Sequence, residues 1–145
     1  MSHHFEKPLL DEAELARTLH AVAQDFVRLV GYFGDDGVCC VAQVEAAHAA
    51  GDAAALVGPA HRLKGEARQL GAVRLGDIAA EIERTARRCV EEQVPPATIT
   101  QEVQALRVCF AQTLALLSAL TPGRRATRPV APPRTRRIFG RRAGA

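Results

Sequence analysis

Apolar residues recur along the chain at alternating spacings of four and three, the signature of one buried face of an α-helix. Leu15, Leu19, Val22, Phe26, Leu29 and Phe33 predict a first helix from about Glu12 to Phe33, with Asp11 and Glu14 as its capping box. Gly34-Asp35-Asp36-Gly37 then reads as a break. A second helix follows to about Ala50, with Val38, Val41 and Val44 on its apolar side. Gly51 stops it and Asp52 caps the next. The third spans about Ala53 to Leu70, with the stripe Leu56, Ala60, Leu63, Ala67 and Leu70, and Gly71 ends it. The fourth covers about Val73 to Glu92, with Leu75, Ile78, Ile82, Ala86 and Cys89 inward, and Pro95-Pro96 closes it. The fifth starts near Thr98, with Gln101 completing a capping box, and carries Ile99, Val103, Leu106, Phe110, Leu114 and Leu117 to about Leu120.

No segment alternates with the period of a strand. The short connections imply antiparallel neighbours, so the expected fold is all-α: an up-down antiparallel four-helix bundle with an additional helix. Residues 1–10 read as a flexible lead, 11–120 as the bundle, and 121–145 as a disordered basic tail rich in arginine and proline.

Charge sharpens this division. The net charge is +3, but eight of the 19 basic residues lie in 121–145, which contains no acid. The 11 that remain face 16 acids, so residues 1–120 carry a net −5. A basic pI therefore describes the tail, and no specific nucleic-acid binding is expected of the bundle. Cys39, Cys40, Cys89 and Cys109 show no CxxC pair and no zinc spacing with histidine, which predicts reduced thiols, no metal site and a cytoplasmic protein. No signal peptide and no membrane span is predicted from the sequence.

The chemically informative stretch is Ala60 to Ala72. At 100° per residue the stripe at 60, 63, 67 and 70 points to the core. His61, Lys64, Gly65 and Arg68 then share a face roughly 130° from it. An exposed neutral imidazole is a nucleophile able to form a covalent intermediate. Lys64, one turn on, is placed to stabilise negative charge on a group carried by His61, and its own charge disfavours protonation of the imidazole. Gly65 costs the helix about 1 kcal/mol against alanine and leaves room for a partner to close over the ring.

His61-x-x-Lys64-Gly65-x-Ala67-x-x-Leu70-Gly71-Ala72 resembles the HxxKGxAxxLGA signature of histidine-containing phosphotransfer (HPt) domains. The resemblance covers about residues 11–120. It implies a phosphorelay intermediate: His61 as phosphoacceptor, Lys64 as the phosphate-stabilising cation and Gly65 as the clearance residue. Partners would be receiver domains of response regulators or a hybrid histidine kinase. The receiver would hold the Mg²⁺, and the module itself would need no cofactor and act as a carrier, not a kinase. No Gly-rich phosphate loop is present. Arg62 and Arg68 would add positive potential for docking, and Gln69 could touch the phosphoryl group or the partner. Glu83 falls where the family often has an acid, while Glu81, Glu83, Glu91 and Glu92 together read most simply as a solvated helical face.

Two departures stand out. Glu66 occupies a position usually held by serine or alanine, roughly 150° around the helix from the site face, so it need not repel a phosphoryl group. Gly58-Pro59 precedes His61, and a proline there predicts either a kink or a helix that restarts at Pro59. Two other architectures fit the periodicity. A degenerate histidine-kinase dimerisation domain would show an acid after the histidine, where Arg62 stands. A helical adaptor would leave His61 without chemistry. The phosphorelay reading predicts a monomer.

Overall fold

The computed structural model describes residues 3–21 and 25–120. Leu19 and Val22 of the first predicted stripe, and the tail 121–145, lie outside the residues whose side chains it describes. A 3₁₀ turn at His3–Glu6 leads into α1 (Glu12–Ala21), α2 (Phe26–Ala49), α3 (Ala53–Gln69) and α4 (Val73–Glu92). A second 3₁₀ turn at Ala97–Ile99 precedes α5 (Thr100–Ala119). Among the described residues there is no strand.

Helices α2 to α5 form a bundle in which α3 packs on α2 and α4, and α5 packs on α2 and α4. The predicted stripes are its core. Leu56, Ala60, Leu63 and Ala67 of α3 meet Leu75, Ile78, Ala79, Ile82 and Ala86 of α4. Phe26, Val30, Phe33, Val41 and Val44 come from α2, and Val103, Leu106, Phe110 and Leu117 from α5. The rings of Phe33 and Phe110 pack with centroids 5.2 Å apart, tilted by 47° to each other. Val38, expected inward, is exposed.

No break falls at the glycines: α2 begins at Phe26 and runs unbroken through Gly34-Asp35-Asp36-Gly37. Gly37 is buried beneath Phe110, whose ring occupies the space a Cβ would need, and Gly34 lies against Leu114. Close helix packing, not a turn, is what these glycines serve.

α1 lies over the α3–α4 turn. The Asp11 N–H donates to the Gly71 carbonyl at 2.7 Å, and Thr18 Oγ1 donates to the Gln69 carbonyl at 2.6 Å. Gly71 takes φ +69°, and a side chain there would press on Asp11 O and Leu15 N at 3.0 Å. Asp11 caps α1 through Ala13 N and Glu14 N, while Glu14 pairs with Arg17 instead of closing a capping box. Residues 3–10, expected as a loose lead, pack on the bundle instead. Phe5, Leu9 and Leu10 rest on the core, Lys7 pairs with Asp77, and Arg74 Nε donates to the Lys7 carbonyl at 2.7 Å.

At the far end, Gly51 takes φ +65° and Asp52 caps α3 by accepting from Ala55 N at 3.0 Å. α3 continues through Pro59 without restarting, although proline forgoes one backbone hydrogen bond. Buried Leu56, Ala60 and Leu63 hold the helical phase on both sides of it. α5 begins at Thr100, not Thr98, and no side-chain cap forms there.

Candidate phosphotransfer site

His61 projects from α3 one position past the buried stripe, with its side chain 61% exposed. Across the α3–α4 seam stands Glu83, whose side chain is only 7% exposed. His61 Nδ1 lies 2.9 Å from Glu83 Oε1. Lys64 Nζ lies 2.5 Å from Glu83 Oε2. Arg87, one turn further along α4, donates to Oε1 through Nε at 3.1 Å and Nη2 at 2.8 Å. One buried carboxylate thus gathers an imidazole and two cations.

Burial pushes the Glu83 carboxyl upward, but hydrogen bonds from Lys64, Arg87 and His61 outweigh it and hold the group at about 2. An ionised carboxylate only accepts, so Nδ1 of His61 carries the proton of that contact. In the neutral ring Nε2 then holds the lone pair. The bond also fixes the ring so that Nε2 points away from Glu83. Glu83 therefore does not belong to a solvated face with Glu91 and Glu92, which are exposed. The phase of α4 carries the signal, because position 83 falls between inward positions 79, 82 and 86. Arg87 is announced by its i,i+4 relation to Glu83.

The other sequence-derived residues are distributed around this centre. A Cβ on Gly65 would meet no atom within 4 Å, and the same holds for Gly58, three residues before His61. The helix is therefore bare on both sides of the imidazole. Arg62 turns away toward α2, with Nη2 3.2 Å from Gln43 Oε1 and Nη1 3.5 Å from Asp36 Oδ1. Arg68 is exposed, lies over Gly76 and lines a shallow depression with Asp11, Glu14, Val73 and Asp77. Gln69 is exposed and stands eight residues, about 12 Å, along the helix from His61. Neither Arg62 nor Gln69 touches the His61–Glu83 group.

Glu66 faces α2 beside Asp36 and Cys40, away from His61. Burial first, then a hydrogen bond and repulsion from Asp36, raises its carboxyl to about 7, against the pull of Arg62. Burial likewise pushes the Cys40 thiol up to about 12, and its Sγ lies 3.5 Å from Asp36 Oδ2. Cys39, Cys40, Cys89 and Cys109 are all unpaired thiols. Among the described residues no group of three or more histidine, cysteine or acidic side chains could hold a metal, and no helix is long and apolar enough to cross a membrane.

Residues 28–116 match the family model of the Hpt domain. A solved structure, histidine-containing phosphotransfer protein B (HptB) from Pseudomonas aeruginosa PAO1, is similar at 28% identity with a TM-score of 0.67. The alignment covers 77% of this chain and 93% of that one. No curated protein matches the chain. The chain belongs to the Hpt domain family, and its role is histidine phosphotransfer in a phosphorelay. The matched span begins within α2, so α1 lies outside it.

Proposed function

We propose that His61 carries the phosphoryl group on Nε2, receiving it from and returning it to the aspartate of a receiver domain. The observation that carries this reading is the exposed imidazole whose Nδ1 is held by the buried Glu83 carboxylate beside Lys64. In the forward step the Nε2 lone pair attacks phosphorus in line with the acyl oxygen. The new N–P bond forms as the P–O bond to the aspartate breaks, and the electron pair leaves with the aspartate carboxylate. The Nδ1 proton stays on the ring, and Glu83 stabilises the phospho-imidazolium that results. Lys64, at i+3, offsets charge on the equatorial oxygens.

Gly65, with Gly58, supplies the clearance that lets the receiver close over the ring. Mg²⁺ belongs to the receiver, and the module needs no cofactor of its own. Arg68, exposed on the same helix, contacts the partner's rim, while Arg62 and Gln69 act there only at its periphery. The protein works as a monomer and as a carrier, without ATP chemistry. Receiver domains of response regulators and of hybrid kinases are the partners this chemistry fits.

Incubation of the full chain with a phosphorylated receiver tests the reading. Acid-labile, base-stable phosphate is expected on the wild type and none on His61→Gln. Label retained by His61→Gln, or absent from a folded wild type with several receivers, would overturn it.

A further inference from the structure

Glu83 Oε1 is shared. It accepts from His61 Nδ1 at 2.9 Å and also from two N–H groups of Arg87, while Lys64 occupies Oε2. A lone carboxylate beside a histidine stabilises the imidazolium and so favours the protonated, non-nucleophilic ring. Here the carboxylate is answered twice. Lys64 and Arg87 together exceed the single negative charge of Glu83, so the group is net positive before His61 takes any proton. Adding a second proton to the imidazole then raises an existing positive charge instead of neutralising a negative one. Without Arg87 the pair of Glu83 and Lys64 would be neutral, and that opposition would be lost.

Other charges nearby do not replace it. On α4, Arg84 is taken by Glu81, and Arg88 and Glu91 line a depression together with Lys64, Glu83 and Arg87. On α3, Arg62 is committed to Asp36 and Gln43.

We propose that Arg87 is a positioning residue of this site, which shares the Glu83 oxygen that holds His61 and thereby keeps the imidazole neutral without releasing its Nδ1 proton. The proposal rests on the reading of His61 as the phosphoacceptor. Arg87 acts through Glu83 and touches neither phosphorus nor the attacking nitrogen. Its guanidinium serves better than a point charge because two N–H groups grip one oxygen from the side and leave the Nδ1 approach open.

The test compares wild type, Arg87→Met and Arg87→Lys as full chains, with two readouts. The ring nitrogens of His61 are titrated by ¹⁵N NMR, and phosphoryl uptake from a phosphorylated receiver is followed against pH. In Arg87→Met the His61 midpoint is expected to rise, because the positive charge that opposes a second ring proton is gone. The acid limb of uptake moves with it. The deficit is then several-fold at about pH 6 and closes to within about twofold at about pH 8.5. Arg87→Lys recovers most of both. An unmoved midpoint in Arg87→Met, or a deficit equal at every pH, would overturn the proposal in favour of a docking or purely structural role. Should Arg87→Met fail to fold, Arg87→Gln carries the same comparison. If wild-type His61 takes no phosphoryl group, the phosphoacceptor reading fails, while the NMR midpoint still decides what Arg87 does to the ring.

Discussion

Glu83 on α4 and Glu66 on the α2-facing side of α3 respond to pH in opposite senses. Glu83 is held at about 2 by Lys64, Arg87 and His61, against an ordinary value of 4.5. Its contribution is fully present above pH 4.5 and is lost as pH falls through about 2. Replacing it by glutamine therefore destabilises the protein most near neutrality, by on the order of 2–3 kcal/mol. The difference in melting temperature from wild type shrinks as the solution is acidified. Glu66 sits at about 7 because burial and Asp36 favour its protonated form. A carboxyl raised in this way contributes fully below pH 4.5 and loses that contribution as pH rises through about 7. Glu66→Gln is expected to raise the melting temperature at about pH 8 and to change little in acid. Thermal melts of both variants across pH check the two signs together. Equal responses would show that neither carboxyl sees the surroundings described.

At the scale of the element, the meaning of a glycine is set by what lies across from it. Gly34 and Gly37 read along the chain as a helix break, yet they sit inside α2 because Leu114 and Phe110 of α5 pack against them. No one-dimensional pattern contains that partner, since α5 is some seventy residues away. Gly65 breaks the same propensity rule with open space above it. The helical stripes, the Asp11 and Asp52 caps and the exposure of His61 were legible, because each depends on spacing within one helix. Glu83 was half legible: its phase on α4 points inward, but an acidic residue flanked by Glu81 and Arg84 invites a surface reading. Alanine substitution separates the two kinds of glycine. Gly65→Ala is expected to stabilise the protein by up to about 1 kcal/mol, the helix propensity difference. Gly37→Ala is expected to destabilise it by about 1–3 kcal/mol, as the ring of Phe110 must move. Chemical denaturation of both variants measures these values, and the same sign in both would contradict the packing described.

Over the whole molecule the charge is divided by sequence position. Residues 1–120 carry a net −5, while 121–145 contribute eight arginines and no acid. Among the described residues the phosphotransfer group runs from His61 to Arg87, and the last buried core residue is Leu117. Two consequences separate by distance. Lys64 and Arg87 act on His61 through their contacts with the buried Glu83 carboxylate, where salt screens weakly. Influence exerted by the charge of the tail alone reaches an approaching receiver through solvent, where at physiological salt fields decay over about 8 Å. A chain ending at Leu120 is therefore expected to keep the melting temperature of the full chain and, at physiological salt, to take up phosphoryl groups within about twofold of its rate. Below about 0.01 M salt, where the screening length reaches about 30 Å, the arginines add attraction toward an acidic partner. The full chain should then outpace the truncated one, and the gap should close as salt is added. A rate lost equally at every ionic strength would mean that residues 121–145 make direct contact with the partner, and that the docking surface extends beyond the bundle.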